Sequence, residues 1–129
     1  MSSYFYYFAL LNLKKMSAGK KATLFILIIL VADQALKIWV KTTMTIGEEI
    51  NLFGNWGKLH FIENNGMAFG MEMGGRTGKL ILSTFRIVAI AAIGLFLRSL
   101  IKKKVNTGLI ITVSAIMAGA IGNLIDSAF

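Results

Sequence analysis

Asp33, Gln34 and Lys37 interrupt one strongly apolar run of the chain, Arg86 interrupts a second, and Asn123 and Asp126 close a third. These residue types hold protons, form ion pairs or grip a polar substrate, and an apolar run is where they are hardest to place. A charge at the centre of a bilayer costs roughly 2.5–3.5 kcal/mol on insertion scales, so each one requires a reason. Asp33 and Lys37 are four apart and share a helix face, as do Asn123 and Asp126 at a spacing of three. Two readings are open. Asp33 and Lys37 could form a self-neutralising pair with Lys37 snorkelling outward, Asp126 merely marking a helix end. Alternatively, they form a polar wall facing a site inside a helix bundle. Two carboxylates held close can share one proton and activate water. On the residues alone Asp33 and Asp126, the carboxylates of the apolar runs, would be that pair, although Asp33 has a cation on its own face and should stay ionised.

The elements that must position these residues are membrane helices. The chain has 129 residues, of which 56% are hydrophobic, and its mean hydropathy is +0.69. That is too apolar for a soluble domain of this size. The first apolar run is Ala22 to Val40, the second Leu80 to Ile101 and the third Gly108 to Ile125. Each is long enough to cross a bilayer at about 1.5 Å per residue. Gly119 and Gly122 in the third run permit close helix packing. The expected fold is therefore an all-α membrane protein with spans at about 22–40, 80–101 and 108–125.

Basic residues orient the spans. Lys14, Lys15, Lys20 and Lys21 precede the first; Arg98, Lys102, Lys103 and Lys104 lie between the second and third. Both clusters are expected in the cytoplasm, with residues 41–79 outside, because that segment balances its acids and bases. Within it, Glu49 to Phe53 and Lys58 to Ile62 read as short strands around the turn Gly54-Asn55-Trp56-Gly57. A small external β-hairpin is expected, with Phe53, Trp56 and Phe61 suited to the membrane interface. Asp33, Asp126 and the stretch Asn64 to Gly70 then converge at the outer leaflet. Residues 1–21 form a cytoplasmic segment ahead of a membrane domain at 22–129. The aromatic stretch up to Leu13 is too short to span and has its bases after it, unlike a signal peptide. It reads as an interfacial anchor or, preferably, as an artefact of start-site choice before Met16.

Composition excludes other chemistry. There is no cysteine and one histidine, His60, so disulfides, thiolate sites and multi-His metal sites are out of reach. No metal and no cofactor are expected. Met67, Met71 and Met73 read as packing residues. The net charge of +8 clusters beside the apolar runs, which favours topology and anionic lipid over nucleic acid.

Three motifs, in order, resemble the lipoprotein signal peptidases, or signal peptidase II: Asp33-Gln34 with Lys37; Asn64, Gly66, Ala68 and Phe69 as N-x-G-x-A-F; and Gly119, Gly122, Asn123 and Asp126 as G-A-x-G-N-x-x-D. The likeness runs from about Ala22 to Asp126. It implies a four-helix bundle of the bacterial inner membrane, with three of its helices and an external β-cradle present here. It implies an aspartyl endopeptidase that removes signal peptides from lipid-modified prolipoproteins, with those peptides and membrane lipid as partners. It also implies that the residues above support the site or bind substrate, whereas the catalytic aspartates lie beyond Phe129. No catalytic residue is therefore expected in this chain, which reads as C-terminally truncated and inactive alone. Ser127 departs from the family's usual arginine. The alternative is a small non-enzymatic membrane protein that uses Asp33, Lys37, Asn123 and Asp126 only as inter-helix glue.

Overall fold

The computed structural model describes residues 2–62 and 75–128. In chain order it contains α1 (Ser2–Lys15), α2 (Ala18–Thr43), β1 (Glu49–Phe53), β2 (Gly57–His60), α3 (Gly75–Lys102) and α4 (Thr107–Ala128). The helices α2, α3 and α4 are each long and apolar enough to cross a membrane. The architecture is the all-α membrane fold expected, with one small sheet.

Each helix outruns its apolar stretch because capping, not hydropathy, sets its ends. α2 starts at Ala18 because Ser17 adopts extended geometry and its side chain accepts a hydrogen bond from the Lys20 amide. α3 begins at Gly75 rather than Leu80, taking Arg76, Thr77 and Lys79 into its first turns. At its other end the chain closes a Schellman turn. The Lys104 amide donates to the Ile101 carbonyl and the Val105 amide to the Leu100 carbonyl, with Lys104 at φ 51°. Asn106 then caps α4, its side-chain oxygen accepting from the Gly108 amide at 2.8 Å. α1 was not expected as a helix; it buries none of its residues.

β1 and β2 pair antiparallel, with Ile50 opposite Leu59 and Glu49 opposite His60. Gly54, at φ +62°, makes the turn, a backbone region that other residues rarely adopt. Backbone hydrogen bonds between Glu48 and Phe61 and between Gly47 and Phe61 carry the pairing one step past β2. The expected hairpin is present, with β2 starting at Gly57. Phe53 and Trp56 stack at its tip, ring centroids 5.4 Å apart, and both are exposed.

α4 is the central helix, packed against both α2 and α3, which scarcely touch each other. Its buried face includes Ile110, Ser114, Ala118 and Gly122. These recur every fourth residue and shrink along the helix, so the neighbouring backbone can come close at the Gly122 end. At the other end, Ala22, Leu97, Leu100, Ile110 and Val113 form the apolar core. Ser114 is fully buried and returns its hydroxyl hydrogen to the Ile110 carbonyl. Large side chains such as Val31, Phe85, Val88 and Leu95 face outward, as lipid-facing positions should.

Candidate functional site

The narrow end of the α2–α4 contact brings the dispersed polar residues together. Lys37 extends from α2 toward α4, and its Nζ lies 2.6 Å from Asp33 Oδ2 and 2.6 Å from Asp126 Oδ2. One ammonium thus bridges two carboxylates separated by 93 positions in sequence, 126 minus 33. Gln34 adds a second link, its Nε2 donating to Asp33 Oδ2 at 3.1 Å and to Asp126 Oδ1 at 3.4 Å. Hydrogen bonds between ionised partners are stronger than neutral ones, and two of the four contacts here cross between helices. Lys37 is therefore more than a residue snorkelling beside its own helical partner.

Gly122 makes this arrangement possible. A Cβ built at that position would stand 2.6 Å from Asp33 Oδ2 and 3.4 Å from Asp33 Cγ. The Asp33 carboxylate rests directly on the bare backbone of α4. Gly119 has no such neighbour: nothing lies within 4 Å of where its Cβ would be. The two glycines of the motif thus differ in what they do.

α3 joins the same end of the bundle. Arg86 Nη1 donates to the Asn123 carbonyl at 3.1 Å. Ser127 Oγ donates to that oxygen as well, at 3.0 Å. Arg86, the charge that interrupts the second apolar run, thus binds a backbone carbonyl. A carbonyl acceptor carries no sequence signal, so this contact could not have been read beforehand. The Asn123 side chain is exposed beside it. Asn64, Gly66, Ala68 and Phe69 lie outside the described residues.

About a third of the side-chain surface of Lys37, Asp33 and Asp126 remains open, at 33%, 34% and 37% respectively. The cluster is a rim that a polar group can reach, not a sealed core. Two carboxylates and one ammonium leave one formal negative charge in excess. The position between the carboxylates, where a shared proton or a metal ion would have to sit, is filled by the lysine nitrogen. This geometry favours holding and orienting over proton transfer between Asp33 and Asp126.

Comparison with known proteins gives one consistent result. Residues 25–129 match the family described as Signal peptidase (SPase) II. The lipoprotein signal peptidase of Porphyromonas gingivalis is 45% identical over 118 residues, covering 91% of this chain and 50% of that protein. That of Amoebophilus asiaticus is 41% identical over 106 residues, covering 80% of this chain and 45% of its own length. That of Fusobacterium nucleatum is 36% identical, with coverage of 80% and 60%. The chain spans about half the length of the first two relatives. No solved structure gives a significant match.

Proposed function

The chain belongs to the signal peptidase II family, and from that premise we propose that it serves as a lipoprotein signal peptidase, an aspartyl endopeptidase that cuts signal peptides from lipid-modified prolipoproteins. The observation that carries the reading is the Asp33–Lys37–Asp126 bridge. It joins the first and third of the three motifs on one rim of a membrane bundle. A lipid-anchored substrate can approach that rim sideways through the bilayer, and the resemblance implies that an external β-structure cradles it.

On this reading Asp33, Gln34, Lys37, Gly122 and Asp126 build the wall of the pocket. Asn64, Gly66, Ala68, Phe69, Gly119 and Asn123 belong to the same wall by their motifs. As the family resemblance implies, the water-activating carboxylates are a separate pair outside residues 1–129, and the Lys37 bridge between Asp33 and Asp126 supports keeping those two out of that role. A working pair of carboxylates must be free to exchange a proton. The protein would then be a multi-pass protein of the bacterial inner membrane, its N-terminus cytoplasmic, as the lysine clusters favour.

The test is cleavage of a synthetic prolipoprotein peptide bearing a diacylglyceryl cysteine, in detergent. Residues 1–129 alone should show negligible cleavage, and a chain extended to the length of the relatives should cleave. Robust cleavage by residues 1–129 that disappears with Asp126→Asn would instead make Asp33 and Asp126 the working pair.

A further inference from the structure

At the end of the bundle away from the polar rim, an apolar groove of about 270 Å³ opens between the starts of α2 and α4. Phe25 and Ile28 lie on the α2 side, Ile110 and Ile111 on the α4 side, and Leu13 at the end of α1 also lines it. Lys21 is the one charged residue in the lining. Ala18 and Thr107, the first residues of α2 and α4, also line it. The positive ends of two helix dipoles therefore meet at this groove, each equivalent to about half a positive charge. Lys14, Lys15 and Lys20 adjoin it along the chain, and Lys102, Lys103 and Lys104 precede α4. Neither residues 1–32 nor residues 87–122 contain an aspartate or glutamate.

We propose that this groove seats one anionic phospholipid, its acyl chain lying between α2 and α4 and its phosphate held by Lys21 and the two helix N-termini. An apolar slot suits a hydrocarbon chain, and a concentrated positive field at its mouth suits a headgroup with net negative charge. A zwitterionic headgroup would bring its own cation into the same field and bind less well. The seat is distinct from the peptidase rim, so either assignment can fail without the other.

A fluorescent reporter tests this. Phe25→Trp is introduced with Trp39→Phe and Trp56→Phe, so that the only tryptophan lies in the groove. The protein is reconstituted in phosphatidylcholine vesicles carrying dibrominated phosphatidylglycerol or, separately, dibrominated phosphatidylcholine. Quenching should favour the anionic lipid, and Lys21→Gln should weaken that preference roughly fivefold. Lys102→Gln with Lys103→Gln, outside the groove lining, should weaken it less than Lys21→Gln does. Equal quenching by the two lipids would overturn the proposal. So would equal loss of preference in the two lysine variants, which would reduce the effect to the general field of the surface. Native mass spectrometry of the unsubstituted protein gives a second readout. One retained phosphatidylglycerol, lost with Lys21→Gln, is expected; retention unaffected by that substitution counts against the seat.

Discussion

Lys37 and Asp126 lie on different helices, and their ion pair, Nζ to Oδ2 at 2.6 Å, fastens α2 to α4 at the polar end of the bundle. The same nitrogen holds Asp33. Removing it leaves two carboxylates facing one another with no cation between them. Lys37→Met should destabilise the bundle by about 1–3 kcal/mol, the range for losing hydrogen bonds to charged groups at a partly exposed site. Detergent unfolding titrations measure this. Because the loss includes repulsion, Lys37→Met combined with Asp126→Asn should cost less than the sum of the single changes. Strict additivity would show that the bridge is not a unit.

Gly122→Ala places a methyl group 2.6 Å from Asp33 Oδ2. The carboxylate must move off the helix and away from Lys37, or the helices must part. Overpacking of this kind costs roughly 1–3 kcal/mol. Gly119→Ala meets open space and should be neutral or slightly stabilising, since alanine is the better helix former. The contrast can be read in melting temperature. Equal effects at the two glycines would contradict the packing described.

Much of this rim was legible in the sequence, and the reasons are physical. Asp33 and Lys37 announce a shared face by their spacing, and an acid inside an apolar run announces itself by its cost. The hairpin was legible because Gly54 and Gly57 bracket a turn between two strand-like stretches. Helix ends were less so: hydropathy finds the part that contacts lipid, whereas Ser17 and Asn106 set where hydrogen bonding begins. That one lysine would serve both aspartates depends on how closely α2 approaches α4, which is decided by Gly122 in three dimensions. The Arg86 contact was hidden because its acceptor is backbone.

Arg86 ties α3 to α4 through the Asn123 carbonyl, which also accepts from Ser127. Arg86→Leu should leave the apolar core of the other end intact while loosening the last turns of α4. Hydrogen exchange should rise for amides around residues 122–128 and stay low around Ile110 and Val113. The local cost should be roughly 1.5–3 kcal/mol, as for other hydrogen bonds made by a charged group. Uniformly raised exchange along α4 would mean that Arg86 supports the bundle globally.

Lys104 is the one non-glycine among the described residues with a positive φ, 51°. It occupies the left-handed position of the Schellman turn that ends α3, where glycine is the usual occupant. Its neighbour Val105 packs against the apolar core, so the turn cannot relax without disturbing Leu97 and Leu100. Lys104→Gly should therefore raise stability by about 0.5–1 kcal/mol: relief of the left-handed strain, about 1–2 kcal/mol, is partly offset by the entropy glycine loses on folding. Lys104→Val should lower stability, because a β-branched side chain tolerates this region poorly. Thermal unfolding in detergent compares the two directly. A stabilised valine variant would show that Lys104 does not hold the positive-φ conformation.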